Sequence, residues 1–487
     1  MRLTRDAFRR AVLAAAACIV AYQIFIPPIV GLADQGDFAR MIGRFGYGPE
    51  DKSPDQKFMY VVRKYVPDPA FRHPDWEQFN SEYLFSGAAV ALNRLISKDG
   101  KLDVTVMGLV HALAFLAALA RLLWVTRKLR AAPFVWIAGL IVLTDAAYTA
   151  YWNSFYAEPA SCIFFLLLAG ESIAMCTVGE ISATQLARWA LWAALWVLAK
   201  PQNTPIGILL ALFALRLCRR SGKDARGYRS RERKRAERVG LTACAAIFAV
   251  TAFGTLTVPL PVRWNTGYDM VFRAIIPESH DPAADLRTFG LDPGLAKYSG
   301  TFAEGHPFYE LVAAGAFRDH ITPFRIASFY LTRPARFWKH IKVMLSSAFL
   351  LRDFYGNFEK SAGLPIAARS QAFSAWSDFH KKVLEHAARA ILFVLLLSPA
   401  LLIWKWARSR NQQRLPWEFA GLLLACCLAA LFTVLLGDCW DNIKHFFLFN
   451  LLFDACVVAA LGGAATALAQ SSQLQAHRYS ISTGSRG

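Results

Sequence analysis

Gly31-Leu-Ala-Asp-Gln-Gly-Asp-Phe-Ala-Arg40 follows directly on the apolar run 11–30, and Gly437-Asp-Cys-Trp-Asp-Asn-Ile-Lys-His445 directly precedes the apolar run 446–468. Both stretches put carboxylates and cations where a membrane-length segment ends. An ionisable side chain costs about 2.5–3.5 kcal/mol at a bilayer centre and less toward the interface, so several of opposite sign at helix ends point to a site.

Working outward, the 487 residues are 55% hydrophobic and 18% charged. The apolar residues come in blocks near the roughly 20 residues that span a bilayer as a helix. Ten such blocks are read at 11–30, 104–126, 132–151, 160–178, 186–199, 205–218, 240–259, 387–407, 418–437 and 446–468, two of them short. The expected class is an all-α integral membrane protein of about ten transmembrane helices.

The net charge of +19 would suit a nucleic-acid partner, but its residues sit where membrane topology wants them. Arg2, Arg5, Arg9 and Arg10, the run at 127–130, the loop 219–239 and the run at 405–414 are basic, and alternate connections carry them. This places both termini in the cytoplasm, as expected for a multi-pass protein of the bacterial inner membrane. Arg229-Ser-Arg-Glu-Arg-Lys-Arg235 is read as a topology anchor on anionic lipid, so no nucleic-acid partner is expected. Segment 83–96 is apolar but short, and if it spanned it would translocate the basic loop; it reads as an interfacial helix outside the membrane. Eight of the nine cysteines fall in or at spans, which gives no disulfide or zinc framework.

Two long segments then lie outside, 31–103 and 261–386, with a disordered cytoplasmic tail at 471–487. In the first, Phe38, Met41, Ile42 and Phe45 form a helical apolar stripe opposite Arg40 and Arg44, predicting a helix lying on the membrane surface. Residues 48–73 read as irregular. The second is expected to form a cap of short helices at 309–318, 324–331 and 337–351, separated by Pro307, Pro323 and Pro334.

Asp34 and Asp37 are three residues apart and share one side if the chain is already helical there. Asp37 reads either as the N-cap of the surface helix or as a general base for an acceptor hydroxyl, and the two uses are compatible. The turn after the third span holds Asn153, Tyr156 and Glu158 among aromatics that would also suit an interfacial belt. Glu158, converging on the first carboxylates, would orient a sugar hydroxyl or, with Asp37, hold a divalent cation such as Mg2+ or Mn2+. Lys200-Pro-Gln-Asn203 joins two short apolar halves, with Lys200 either snorkelling or facing an anion. Before the last span, Asp441 or Asn442 is placed to cap a helix whose first turn holds Lys444 and His445. Cations at a helix N-terminus suggest an anionic ligand such as phosphate.

At these residues the sequence resembles the GT-C superfamily of membrane glycosyltransferases, and within it the bacterial glycan-biosynthesis hexose transferases of the WsfD type. The resemblance rests on Gly36-Asp-Phe-Ala-Arg40, Asn153-Ser-Phe-Tyr-Ala-Glu-Pro159, Lys200-Pro-Gln202, Gly437-Asp438, Lys444-His-Phe-Phe-Leu-Phe-Asn450 and Asp454, in that order. It implies a polyprenyl-phosphate-linked sugar as donor, a cell-surface glycan as acceptor and an active site on the extracytoplasmic side. Carried over, Asp37 is the catalytic base of an inverting hexosyl transfer, with Asp34 as the second candidate. The donor phosphate would meet Lys444, His445, Lys200 and Arg40. Gln202, Asn153, Tyr156, Asp438 and Asp441 would contact substrate. The strict Asp-x-Asp metal motif of some GT-C enzymes is absent. Two other classes stand beside this reading: a transporter or flippase of lipid-linked saccharide, and a non-catalytic glycan-assembly protein.

Overall fold

The computed structural model of the chain describes residues 4–178, 180–221, 231–303, 320–410, 413–437, 439 and 442–484. Among them, seven helices are long and apolar enough to cross a membrane: α1 (Arg5–Phe25), α2 (Val104–Thr126), α3 (Glu158–Cys176), α4 (Lys234–Leu256), α5 (Ala375–Arg408), α6 (Arg414–Gly437) and α7 (Phe447–Ala467). The apolar window of α3 is 72% buried, against 17% for α5. The first is therefore the centre of the bundle, while Phe393, Val394, Leu397, Leu401 and Ile403 of α5 face outward as lipid-facing side chains would.

The remaining three expected spans are helical but fall short of that measure. The block at 186–199 forms Ala183–Val197, 15 residues, and the block at 205–218 forms Thr204–Ser221, whose far end carries Arg216, Arg219 and Arg220. The block at 132–151 is a 12-residue helix, Ala132–Leu143, followed by the single turn Ala146–Thr149. The break has a polar cause. Asp145 caps the turn through Ala147 N–H at 2.8 Å, and its other oxygen accepts from Trp376 and Ser377 N–H at 2.9 and 3.0 Å. One carboxylate thus caps two helices, the second being the start of α5. Gln23 of α1 completes the joint, donating to Thr144 O and accepting from Thr149 Oγ1.

Segment 31–103, the expected first outer segment, departs from the reading of a surface helix followed by an irregular stretch. Tyr47–Pro49 (β1), Lys64–Pro67 (β2) and Leu102–Asp103 (β3) form a three-stranded antiparallel sheet with Tyr47 opposite Pro67 and Tyr65 opposite Leu102, where an irregular stretch was expected. The predicted surface helix is one turn, Phe38–Met41, then a 3-10 turn, Gly43–Phe45, closed by Gly46 at φ 78°. Its apolar stripe is buried in protein instead of lying on lipid: Phe38 packs edge-on to Phe155 and Tyr156, with centroids 5.4 and 4.7 Å away. Segment 83–96 is helical, Tyr83–Ile96.

The cap helices appear as Pro323–Leu331 and Pro334–Ala348; the one expected at 309–318 lies outside the described residues, as does the centre of the basic loop at 222–230. Residues 353–358 strap the cap to the first outer segment. Gly31 N–H donates to Asn357 O and Ala33 N–H to Gly356 O, both at 2.9 Å, and Gly356 N–H donates to Phe58 O. A Cβ on Gly356 would sit 1.8 Å from Met59 O, so this approach requires glycine. The last helix continues to Gly484, in place of the disordered tail expected from 471. The first half of that stretch, Ser471-Ser-Gln-Leu-Gln-Ala-His477, contains neither glycine nor proline to stop it.

Candidate functional site

The two stretches at the ends of the chain meet. Lys444 Nζ lies 2.6 Å from Asp37 Oδ2, Arg40 Nη1 lies 3.0 Å from Asp37 Oδ1, and Gln35 Nε2 donates to Asp37 Oδ2 at 2.7 Å. Lys444 is 3% exposed while the Asp37 side chain is 22% exposed, so a buried ammonium meets a partly accessible carboxylate. Burial by itself pushes the Asp37 carboxyl up, but the charges of Arg40, Lys444 and Lys200 outweigh it and hold the group well below the usual carboxylate range.

Asp34 and Asp37 have separate tasks. Asp37 occupies the cap position of Phe38–Met41 yet makes no side-chain capping bond. Asp34 makes it instead, accepting from Gly36 N–H at 2.7 Å and Phe38 N–H at 3.2 Å. Burial, and secondarily the Asp37 charge, raise Asp34 to about 6. The N-cap alternative therefore belongs to Asp34, and Asp37 is left facing cations.

A second ion pair stands beside the first. Glu158, 1% exposed in the first turn of α3, holds Lys200 at 2.6 Å. The turn Pro201–Asn203 is fixed by Asn203, whose amide donates to Trp196 O and Ser161 Oγ at 2.7 and 3.0 Å. Gln202 of that turn is hydrogen-bonded to His445 Nδ1. Lys444 and His445 stand in a four-residue turn, Asn442–His445, that leads into α7 and is not its first turn as expected. Asp438 and Asp441 lie outside the described residues.

Two expected substrate contacts, Asn153 and Tyr156, are hydrogen-bonded within the protein. Asn153 is fully buried, and its amide donates to Ile24 O and Val30 O, holding the chain where α1 turns into the first outer segment. The Tyr156 hydroxyl donates to Ala33 O at 2.8 Å and accepts from Gln35 N–H at 2.9 Å, and its ring lies 4.7 Å from Lys444 Nζ. It positions both partners of the Asp37–Lys444 pair.

One support escaped the sequence reading. Glu82 is fully buried, receives Ala160 N–H at 3.0 Å and lies 2.6 Å from His111 Nε2, while His111 Nδ1 reaches Trp152 O at 2.8 Å. Glu82 thereby caps α3 from outside, behind Glu158. The signal was available as an acid immediately before an apolar stretch and a histidine inside a span. Among the described residues no three His, Cys, Asp or Glu side chains gather as a metal cluster, and Asp37 and Glu158 each face a lysine.

These features define a multi-pass helical membrane protein with a charged site where segment 31–103 meets the bundle. The chain belongs to the family described as the YfdI N-terminal transmembrane domain, which matches residues 5–480. No curated protein matches it. Similar solved structures include the apo Archaeoglobus fulgidus oligosaccharyltransferase, at TM-score 0.41 and 14% identity over 96% of this chain and 52% of that one. The same oligosaccharyltransferase tethered with an acceptor peptide gives 0.37 and 15% over 93% and 49%. Archaeal AglB from Archaeoglobus fulgidus with an inhibitory peptide and a dolichol-phosphate gives 0.38 and 13% over 94% and 50%. The chain spans about half the length of these structures.

Proposed function

We propose that this protein is a GT-C-type membrane glycosyltransferase, moving a hexose from a polyprenyl-phosphate donor to a cell-surface glycan on the extracytoplasmic face of a bacterial inner membrane, with both termini cytoplasmic. The observation that carries the reading is the meeting of Asp37 with Arg40 and Lys444 beside Glu158–Lys200, drawn from segments up to 407 residues apart. An ion pair needed only for stability would be as well served by apolar side chains of the same volume.

In the reaction, the donor phosphate binds Lys444 and Arg40, with His445 at its edge. Asp37 tethered to two cations is a weak base. A phosphate that takes those cations restores its basicity, so the base becomes competent as the donor arrives. An acceptor hydroxyl, entering beneath the cap, gives its proton to Asp37 while its oxygen attacks the anomeric carbon. The bond from that carbon to the phosphate oxygen breaks, the electron pair leaves on the phosphate, and the preorganised cations stabilise the charge. Attack opposite the leaving group inverts the anomeric centre. Glu158 orients Lys200 toward this region. A divalent cation remains compatible with Asp37 and Glu158 only if it displaces both lysines.

The test is surface-glycan analysis of a deletion strain complemented with wild type or Asp37→Asn at equal membrane levels. Loss of one sugar, restored by wild type alone, supports the reading. Full restoration by the variant removes Asp37 from chemistry and favours a transporter or assembly role.

A further inference from the structure

Helices Pro323–Leu331 and Pro334–Ala348 turn an apolar face away from the bundle. In the second, the exposed residues Trp338, Lys339, Lys342, Val343 and Ser346 fall on one side, while His340, Ile341, Met344 and Leu345 fall on the other and are buried. In the first, Phe324 and Leu331, two turns apart and so on one face, are 81% and 80% exposed. Two aromatic and two aliphatic side chains bare on neighbouring helices mark an interaction surface.

The position of these helices says what covers that face. His340 Nε2 donates to Leu435 O in the last turn of α6 at 2.8 Å, and the Tyr330 ring is stacked 5.1 Å from that of His340. Both helices are thereby fixed at the level where α6 ends. From there the second helix descends. Phe349, just past its end, packs on Phe449 and Phe453 at 5.5 and 5.2 Å, and Phe453 stands about 9 Å into α7 at 1.5 Å per residue. The helix also packs along α5 and against the turn Asn442–His445, so it lies on the side of the membrane that holds Lys444. Its exposed face continues that of α5, on which Phe379, Val383, Phe393 and Val394 are bare. A side chain at this depth that no protein covers is covered by lipid. The charges agree: Lys339 pairs with Glu278, and Lys342 Nζ lies 5.9 Å from the Trp338 ring. Lysine lays its stem on apolar surface and keeps its ammonium among the headgroups, the level that tryptophan also favours.

We propose that these two helices form an interfacial surface whose partner is the phospholipid of the leaflet on the Lys444 side. Phe324, Leu331, Trp338 and Val343 enter the acyl boundary, and Lys339 and Lys342 stand at the phosphates. A helix of this composition lies in the interface with its apolar face buried by about 5–10 Å. This part of the cap is therefore seated in the bilayer and does not stand in water above it. The inference needs only the membrane class of the chain and is independent of the glycosyl-transfer reading.

The experiment uses the full chain reconstituted in vesicles of phosphatidylethanolamine and phosphatidylglycerol. The photo-crosslinking residue p-benzoylphenylalanine replaces Phe324, Leu331, Trp338 or Val343 one at a time, with the exposed Lys52 of the first outer segment as the water-facing reference. After irradiation, intact mass separates a phospholipid adduct from a protein-sized one. A phospholipid adduct is expected at all four positions, about tenfold above the Lys52 level, as for side chains buried at the acyl boundary. The replaced side chains are exposed and each helix is read at two positions, so a single misfolded variant leaves its helix tested. One lipid-bearing position on each helix sustains the proposal. The Lys52 level at both positions of either helix, or a protein-sized adduct in place of lipid, overturns it.

Discussion

Lys444 Nζ and Asp37 Oδ2 lie 2.6 Å apart although 407 residues separate them, and the lysine is 3% exposed. A buried ammonium without its carboxylate would be costly, so the contact ties the start of the last helix to the first outer segment. Whether the pair serves chemistry or only cohesion is decided by exchanging its members. The double variant Asp37→Lys with Lys444→Asp should accumulate in membranes far better than Lys444→Asp alone, and should still transfer no sugar. Activity in the exchanged protein would mean that the charges matter only to each other.

Asp34 and Asp37 should separate in turnover. Asp37→Asn is expected to lower the transfer rate by about 10²–10⁴, the usual contribution of a general base, and also to lower thermal stability because buried Lys444 loses its carboxylate. Asp34→Ala removes the acceptor of Gly36 and Phe38 N–H and should cost about 0.5–2 kcal/mol of stability as a lost cap. Parallel melting and turnover measurements check this; loss of turnover confined to the Asp34 variant would reverse the assignment.

Asp34 also carries a pH signature. Burial raises it from 3.8 to about 6, so the folded protein binds this proton more tightly than the unfolded chain. Its contribution to stability is complete below about pH 3.8 and is lost as pH rises through 6. Asp34→Asn keeps the acceptor oxygen without the charge. The melting temperature of this variant minus that of wild type should therefore grow between pH 4 and pH 7, and a flat difference would refute the assignment.

The Glu158–Lys200 pair predicts non-additivity. Lys200→Met strands a carboxylate that is 1% exposed and should destabilise by about 3–5 kcal/mol. Glu158→Gln with Lys200→Met should recover most of that loss. Urea or thermal unfolding of the four proteins closes the cycle.

Gly356→Ala places a Cβ 1.8 Å from Met59 O, and the strap must move away from the first outer segment. Thermal stability should fall by about 1–3 kcal/mol, the cost of overpacking. A wild-type melting curve would show that the strap yields without resistance.

The sequence by itself determined the class of molecule and the ends of its site. Apolar length is a property of each segment alone, so helices over 11–25, 104–126, 160–176, 240–256, 387–407, 418–437 and 447–467 could be read without knowing their neighbours. Asp37, Lys444, Glu158 and Lys200 stood out for the same reason, being charges at the limits of apolar runs. Tertiary structure alone decided who meets whom. That Asp37 faces Lys444 while Asp34 caps the turn, that Asn153 is consumed by Ile24 and Val30, and that Asp145 breaks one apolar block to cap α5, all depend on hydrogen bonds between residues 100 or more apart or on competition among adjacent ones. The small sheet of the first outer segment escaped for a related reason: its strands are two to four residues long and owe their conformation to partners, not to a period of their own.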